Sequence, residues 1–267
     1  ANAGYWSPVN REVPLLLDDI LIEGGIIALN KGRVNHTLMG RFGNTMLVNG
    51  EKDYALSVQK GEVVRFYITS AASVRPFNFA IEGLKLKRVG ADGGAYERDE
   101  WVSAVLLGPS ERVIVEVMFD TGGTFAIQNK TPDKIYTLGK ITVGSEQVAV
   151  SYASTFAELR TSNETMQSID PLRQYFDRLP DKTLQLSLDM SSGMMHTHGM
   201  GHEDHIMPDD AKMGGSMTVP GRGGIEWEDT NQMMSQMFDA YAVRWKMIDK
   251  KTNKENMDID WSFTRGE

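Results

Sequence analysis

Short runs of alternating apolar and polar residues, each ended by turn residues, fill the chain from Val13 to Val143 and most constrain its fold. In "ALSVQKGEVVRFYITS" two such runs meet at a Lys-Gly turn, and Val64, Phe66 and Ile68 fall on one face of the second run. The segments "FNFAIEGLKLKRVGADGG" and "ERVIVEVMFDTGGTFAIQNK" repeat the pattern around glycine turns. Short strands at a spacing of about ten residues are typical of Greek-key sandwiches and barrels, so we predict an all-β fold.

Composition and charge exclude several classes of function. The 267 residues carry a formal net charge of −8 and no Lys/Arg cluster, which disfavours nucleic acid and anionic membrane as partners. No apolar run approaches the roughly 18 residues that a membrane span requires. The chain has no cysteine, so disulfides, thiolate nucleophiles and thiolate metal sites are excluded in it. The first residues, "ANAGYWSP", show no secretion signal.

The pattern changes near Ser145. "STFAELRTS" and "SIDPLRQYFDRL" predict short helices, and "KTLQLSLDM" predicts a strand. Residues 191–224 are rich in Gly, Met, His, Asp and Ser, which predicts a flexible connector or long insertion. After it, "GGIEWED", "AYAVRWKMID" and "DIDWSFTRGE" predict further strands. These strands are too few to close a second sandwich, and the last of them stops in mid-pattern.

The stretch "DMSSGMMHTHGMGHEDHIM" concentrates residues that bind soft metals. It holds four of the chain's five histidines and five of its sixteen methionines. Thioether sulfur suits Cu(I), and imidazole suits both copper oxidation states, so an adaptable copper site is one interpretation. A solvated linker with incidental metal affinity is the other. The candidate ligands are Met190, Met194, Met195, Met200, Met207, His196, His198, His202 and His205.

Other polar and aromatic residues have simpler interpretations. "HEDH" is one residue short of the zinc-protease pattern H-E-x-x-H, which places its histidines on one helical face. His36 is expected to be a strand or turn residue, and Asp18 with Asp19 to lie in a solvated turn. Four tryptophans are expected to pack in a core or between domains: Trp101, Trp227, Trp245 and Trp261. Three methionines at helical spacing are expected to pack as well: Met233, Met234 and Met237.

Three segments resemble one known family when they are taken together. They are "GRFGNTMLVNG" (residues 40–50), "FNFAIEGLKLKRVGADGG" (77–94) and "LLGPSERVIVEV" (106–117). In order and spacing they are similar to the middle cupredoxin domain of bacterial three-domain multicopper oxidases, the laccase-like group. The family usually has Asp where this chain has Asn44. The resemblance covers residues 10–145, and "RWKMIDKKTNKENMDIDWSFTRGE" resembles the opening strands of the third domain.

The resemblance implies a domain organisation. Residues 1–145 would form a cupredoxin-like Greek-key β-sandwich, and residues 146–190 would form connecting helices and a strand. Residues 191–224 would be a Met/His/Gly-rich linker, and residues 225–267 a partial cupredoxin domain, the start of the third domain of the family.

The resemblance also implies an activity, which the ligand count restricts. Such oxidases oxidise phenols or metal ions, including Cu(I), and reduce dioxygen to water. A blue copper needs two His and a Cys, and the three-copper cluster needs further histidines. Five histidines and no cysteine cannot complete these centres, so the chain is expected to be inactive alone. "HTHG" has the letters of a first-domain motif of the family, but it follows the middle-domain pattern instead of preceding it.

The expected function is therefore that of the central portion of a copper-dependent oxidase in the periplasm or cell envelope. Its expected partners are the remaining cupredoxin domains of the oxidase or other copies of the chain. A non-enzymatic copper-binding or scaffold module is the alternative, and a purely structural β-domain is a third interpretation.

Overall fold

The computed structural model describes residues 5–28, 40–190, 225–228 and 243–263. These residues belong to two compact units. The first unit comprises Ala1–Leu29, Gly40–Leu172 and Ile225–Asp229, and the second comprises Asn30–Met39, Arg173–Gly224 and Thr230–Glu267.

Two β-sheets form the first unit. The strands of the six-stranded sheet, in chain order, are β1 (Arg11–Ile20), β4 (Thr45–Val48), β6 (Glu62–Ser70), β8 (Leu86–Ala91), β9 (Gly94–Val102) and β11 (Arg112–Phe119). Those of the five-stranded sheet are β5 (Tyr54–Lys60), β7 (Phe77–Ile81), β10 (Val105–Leu107), β12 (Gly123–Lys130) and β13 (Ile135–Gln147). A short hairpin of β2 (Ile22–Glu23) and β3 (Ile26–Ile27) follows β1.

The strand order shows where the chain changes sheets. The orders are β4-β1-β6-β11-β8-β9 and β10-β7-β12-β13-β5, so the consecutive strands β5 and β6 lie in different sheets. The chain crosses between the sheets at Gly61, which has φ +80° and lies so close to Gln147 that a Cβ would meet its amide nitrogen at 2.2 Å. The pairs β1–β6 and β13–β5 are parallel, and the other pairs in the two sheets are antiparallel.

The core lies between the two sheets and follows the alternation of the sequence. Val64, Phe66 and Ile68 of β6 are all fully buried in it, as the pattern predicted. The five-stranded sheet contributes Phe79 and Ile127 from the other side. Burial of one such side chain stabilises the fold by about 1.5–3 kcal/mol. The predicted all-β sandwich is therefore confirmed.

Two short helices and a 3-10 helix follow the sandwich. Helix α1 (Ala153–Ala157) buries Phe156, and helix α2 (Asn163–Ile169) is capped by the side chain of Ser162, which accepts a hydrogen bond from the Thr165 N–H. A 3-10 helix (Asp170–Tyr175) continues from α2. The first predicted helix is thus present. Of the second predicted segment, residues 168–179, only Ser168 and Ile169 belong to an α-helix, and Asp170–Tyr175 form the 3-10 helix. Among the described residues, no helix is long and apolar enough to cross a membrane.

The second unit is built around one pair of strands. β14 (Leu184–Met190) pairs antiparallel with β15 (Val243–Asp249), and Met190 stands opposite Val243. The strands predicted in "KTLQLSLDM" and "AYAVRWKMID" are therefore confirmed. Leu186 is 64% exposed and Trp245 is 44% exposed, so the pair buries little of its apolar surface within the described residues.

Two other strand predictions were wrong. Residues 225–228 of "GGIEWED" form no strand. In "DIDWSFTRGE", Asp258 ends a short 3-10 helix and residues 259–263 are irregular. In both cases β-branched and aromatic residues gave a strand-like pattern, but the described parts of these segments are not in strand conformation. The expected limits of the domains remain predictions.

Candidate functional site

The predicted copper ligands lie almost entirely outside the described residues. Met190 is the exception, since its backbone ends β14. The others in the undescribed range are Met194, Met195, Met200, Met207, His196, His198, His202 and His205. His36 also falls outside the described ranges, as do the methionines at 233, 234 and 237.

The described part of the chain does not fit a copper centre. Residues 5–28, 40–190, 225–228 and 243–263 contain no histidine and no cysteine. Within these ranges, no three acidic or histidine side chains come close enough to hold a metal ion. A blue copper needs imidazole and thiolate ligands, so the sandwich itself offers nothing that could hold one. The polar features of the sandwich are instead two buried groups of charged side chains.

The first group, which we call the Arg75 cluster, joins Asp19, Gly43, Arg75, Tyr136 and the dipeptide Trp227–Glu228. The Arg75 side chain is 3% exposed, and its Nε lies 2.8 Å from Asp19 Oδ2. Its Nη2 donates to the Gly43 carbonyl at 2.8 Å. Its Nη1 lies 3.3 Å from both the Trp227 carbonyl and Glu228 Oε2. One guanidinium thus binds three separate parts of the chain.

The position of Asp19 corrects a sequence prediction. Asp19 was expected in a solvated turn with Asp18, but its side chain is fully buried near the end of β1. Its carboxylate accepts from the Gly43 N–H at 2.5 Å and pairs with Arg75. Two adjacent acidic residues on a strand point to opposite faces, so one can be buried while the other meets solvent. No local sequence pattern indicated that Arg75 would pair with Asp19.

Tyr136 completes the Arg75 cluster from β13. Its hydroxyl donates a hydrogen bond of 2.6 Å to Glu228 Oε1. Burial, together with this bond to a carboxylate, raises the pKa of Tyr136 to about 12. Glu228 is therefore bound through both carboxylate oxygens, by a phenol on one side and a guanidinium on the other.

The second group, which we call the Glu116 cluster, is a charged triad on the outer face of the six-stranded sheet. Glu116 of β11 stands directly across from Arg65 of β6 and from Lys87 of β8. Its two carboxylate oxygens lie 2.7 Å from Arg65 Nη2 and 2.8 Å from Lys87 Nζ. All three residues are at most 2% exposed, although they lie on the face that points away from the core.

Aromatic side chains cover the Glu116 cluster. Phe156 of α1 lies over Lys87, whose Nζ is 5.1 Å from the centre of the ring. Trp6 lies over Arg65, whose guanidinium carbon is 5.5 Å from the centre of the indole. These contacts attract the cations to the ring faces and exclude water from the charges. Segments on both sides of the sandwich sequence therefore close over one face of the sheet.

A second arginine approaches the same indole. The guanidinium carbon of Arg160 is also 5.5 Å from the centre of Trp6, and Arg160 Nη1 donates to the Tyr5 carbonyl. The Arg160 N–H donates to Asp99 at 3.1 Å, and the Asp99 N–H donates back to the Arg160 carbonyl at 2.9 Å. Burial raises the pKa of the Asp99 carboxyl above its usual value. The chain around Arg160 thus covers part of the outer edge of β9.

A cavity of about 530 Å³ lies next to Phe156. Its walls are mainly apolar, with Lys85 and Asp120 as charged groups. The remaining lining residues are Gly83, Leu84, Trp101, Met118, Thr121, Phe125 and Phe156. Trp101 therefore packs beside α1, 5.0 Å from the ring of Phe156, as expected for a packing tryptophan.

Comparison with known proteins assigns this sandwich to a family. The sequence profile described as multicopper oxidase matches residues 12–151, which is more than half of the chain. The chain belongs to the multicopper oxidase family. A search of curated protein sequences gave no significant match.

Solved structures of bacterial multicopper oxidases are similar to this chain over part of its length. A laccase-like multicopper oxidase from Ochrobactrum sp. is 25% identical, with a TM-score of 0.48 over 54% of this chain and 34% of that one. A multicopper oxidase from Campylobacter jejuni, described as a metallo-oxidase, is 24% identical, with a TM-score of 0.43 over 52% and 31%. The McoA multicopper oxidase from Aquifex aeolicus is 21% identical, with a TM-score of 0.45 over 52% and 32%. The chain therefore spans about a third of the length of these proteins.

Family membership confirms the resemblance drawn from the three sequence segments. As a multicopper oxidase domain, the sandwich is cupredoxin-like. Sequence reasoning missed both charged clusters. The alternation of residues along β6 and β11 places Arg65 and Glu116 on the face opposite the core. This alternation was the available sequence signal for the Glu116 cluster. It could not reveal that Trp6 and Phe156 would cover that face.

Proposed function

We propose that this chain is the central portion of a copper-dependent oxidase, in which it spaces the domains that carry copper. The family match over residues 12–151 is the observation that carries this proposal. The chain supplies a cupredoxin-like sandwich, while the assembled oxidase oxidises phenols or metal ions and reduces dioxygen to water. The periplasm or cell envelope is the proposed location, on the basis of the family.

The ligand count supports the proposal that the chain alone is inactive. A blue copper takes two His and a Cys, and the chain has no Cys and only five His. Copper is the cofactor that the family implies, and its catalytic centres would have to be completed by other polypeptide. The described residues then act in binding and spacing those parts rather than in electron transfer.

The Met/His-rich stretch supports a metal ion, such as Cu(I), as the substrate. Thioether and imidazole groups bind Cu(I) well, and the stretch combines both. We propose that copper ions bind weakly and adaptably to the side chains of Met190, Met194, Met195, Met200, Met207, His196, His198, His202 and His205. Phenols remain the other substrate class.

The second unit supports the proposed partners. An isolated two-stranded sheet is marginally stable in water, and it needs further strands or a packed face. In β14–β15, Leu184, Leu186 and Trp245 are each more than a third exposed. We propose that the remaining cupredoxin domains of the oxidase cover this pair, with a second copy of the chain as the other occupant.

The first experiment is an intact-mass spectrum of the purified, denatured sample, joined to an oxidase assay with a phenol and with Cu(I). The proposal expects no turnover by a single 29.8 kDa species, even with copper added. It expects turnover only when further polypeptide with the missing Cys and His is present. Turnover by the verified chain alone would contradict the ligand count.

A Cu(I) titration separates the proposal from the alternative. The chain should bind Cu(I) more tightly than millimolar, and replacing His196, His198, His202 and His205 with Gln should weaken binding. His36→Gln is the matched control, because His36 lies far from the stretch in sequence. Binding in a sample that never acquires oxidase partners would favour a non-enzymatic copper-binding module. Absence of Cu(I) binding would contradict the proposal that the Met/His-rich stretch handles copper.

A further inference from the structure

The Arg75 cluster has properties of a recognition site for a short segment of chain. Asp19 and Gly43 hold Arg75 from one side, through Nε and Nη2. The ring of Phe42 lies 5.2 Å from the guanidinium carbon and supports its face. Residues near the beginning of the sandwich therefore hold the guanidinium in place through Nε, Nη2 and its face. Nη1 is left to contact Trp227 and Glu228.

The remaining donors converge on the dipeptide Trp227–Glu228. Arg75 Nη1 lies 3.3 Å from the Trp227 carbonyl and from Glu228 Oε2, and the Tyr136 hydroxyl lies 2.6 Å from Glu228 Oε1. Trp227 is 6% exposed, although it belongs to an irregular segment far along the chain. A carboxylate held between a guanidinium and a phenol, beside a buried aromatic residue, is the kind of arrangement that anchors a peptide segment.

We infer that Arg75 and Tyr136 form an anchoring site for the dipeptide Trp227–Glu228, which attaches the chain to the sandwich after residues 191–224. The site holds Glu228 through both carboxylate oxygens and Trp227 through its backbone carbonyl. Because Arg75 is already held by Asp19, Gly43 and Phe42, little ordering of the site is needed when the dipeptide binds. The anchor uses no copper and is independent of the oxidase function proposed above.

Anchoring divides the chain between the paired residues Met190 and Val243. In sequence, the anchored dipeptide therefore lies between the two strands of this pair. Arg75 and Tyr136 are therefore positioning residues for the dipeptide Trp227–Glu228.

Solvent exposure of Trp227 is the readout that tests the anchor. The full chain is labelled with 5-fluorotryptophan, and its five resonances are assigned with single Trp→Phe variants. The ¹⁹F chemical shift of each resonance is then measured in H₂O and in D₂O. The difference between the two values, called the shift below, is larger for an exposed indole than for a buried one. In the wild type, Trp227 should show a smaller shift than Trp245 and Trp261, each of which is 44% exposed.

Two conservative variants then break the anchor without removing buried Arg75. Glu228→Gln places an amide N–H₂ group against a donor, either Arg75 Nη1 or the Tyr136 hydroxyl. Tyr136→Phe removes the hydroxyl donor. Each should raise the shift of Trp227 toward those of Trp245 and Trp261 while Trp101 keeps its shift. Glu82→Gln, an exposed carboxylate of the same sandwich, is the matched control and should change nothing.

Two results would overturn the inference. One is a wild-type Trp227 as exposed as Trp245 and Trp261, which would mean that the dipeptide is not docked. The other is a Trp227 that stays protected in both Glu228→Gln and Tyr136→Phe, which would mean that these two residues do not hold it. Neither result bears on the copper titration or the oxidase assay, so the two proposals fail separately.

Discussion

The guanidinium of Arg160 lies against the ring of Trp6, with 5.5 Å between the guanidinium carbon and the centre of the indole. Arg65 lies at the same distance from that ring, so the indole contacts two cations. Trp6 precedes the first strand of the sandwich and Arg160 follows the last. The contact therefore joins the two ends of the domain across one face of the six-stranded sheet.

Replacing Trp6 with Ala should lower the free energy of unfolding of the sandwich by about 2 kcal/mol. The change removes a half-buried aromatic ring and two cation–π contacts at once. Urea denaturation followed by circular dichroism measures the loss. Ile135→Ala, which truncates a side chain that is 57% exposed, is the control and should cost less than about 0.5 kcal/mol. Equal losses for the two variants would mean that Trp6 does not fasten the domain.

Replacing Glu116 with Gln should cost about 3–4 kcal/mol, because it leaves two buried cations without their shared carboxylate. Glu100→Gln is the matched control, since Glu100 pairs with Arg88 while 56% exposed, and it should cost less than about 1 kcal/mol. The combined variant Arg65→Met, Lys87→Met and Glu116→Leu should recover most of the loss. Thermal unfolding of the three proteins checks the order, and a Glu116→Gln loss no larger than that of Glu100→Gln would contradict it.

Asp99 should make the stability of the sandwich depend on pH in the acidic range. Burial raises its pKa in the folded state above the value of 3.8 for an unperturbed Asp. The folded state therefore holds the proton more tightly than the unfolded state. The contribution of Asp99 is fully present below about pH 4, and it is lost as the pH rises through the folded-state pKa.

Asp99→Asn removes this dependence and keeps an oxygen that can accept from the Arg160 N–H. The stability of the variant relative to the wild type should therefore increase as the pH rises from about 4, and then reach a plateau. Urea denaturation at a series of pH values measures it, with Asp53→Asn as the control for loss of an exposed carboxylate. A relative stability that decreases with rising pH would show that the pKa shift has the opposite sign.

Tyr136 should be a late-titrating tyrosine in an alkaline titration, because its pKa is raised to about 12. Its raised pKa stabilises the folded state below about pH 10, and this contribution is lost as the pH rises through about 12. Phenolate absorbance should lose its last step in Tyr136→Phe. In Glu228→Gln that step should move to lower pH, whereas Glu82→Gln should leave the curve unchanged. An identical curve in wild type and Tyr136→Phe would rule out the assignment.

The sandwich was predictable because its signal is local. Alternation in β6 placed Val64, Phe66 and Ile68 in the core, and glycine turns marked the ends of the strands. The family followed from three segments that lie within one domain. These are properties of neighbouring residues, and a single sequence displays them directly.

The charged clusters were not predictable because they depend on residues far apart in the chain. Asp19, Arg75 and Glu228 each look like ordinary solvated charges in their own sequence context. Residues 225–228 looked like a strand because Ile225 and Trp227 alternate with acidic residues, but they are irregular in the structure, and Trp227 and Glu228 contact Arg75. The copper ligands predicted at Met190–Met207 remain a prediction.

The pairing of β14 with β15 affects how this protein can change during evolution. The two strands pair along their length, from Leu184 opposite Asp249 to Met190 opposite Val243. Doubling the length of a flexible connection costs only about 0.6 kcal/mol in loop closure. The sequence between β14 and β15 can therefore change in length at only a small cost in loop closure for the strand pair.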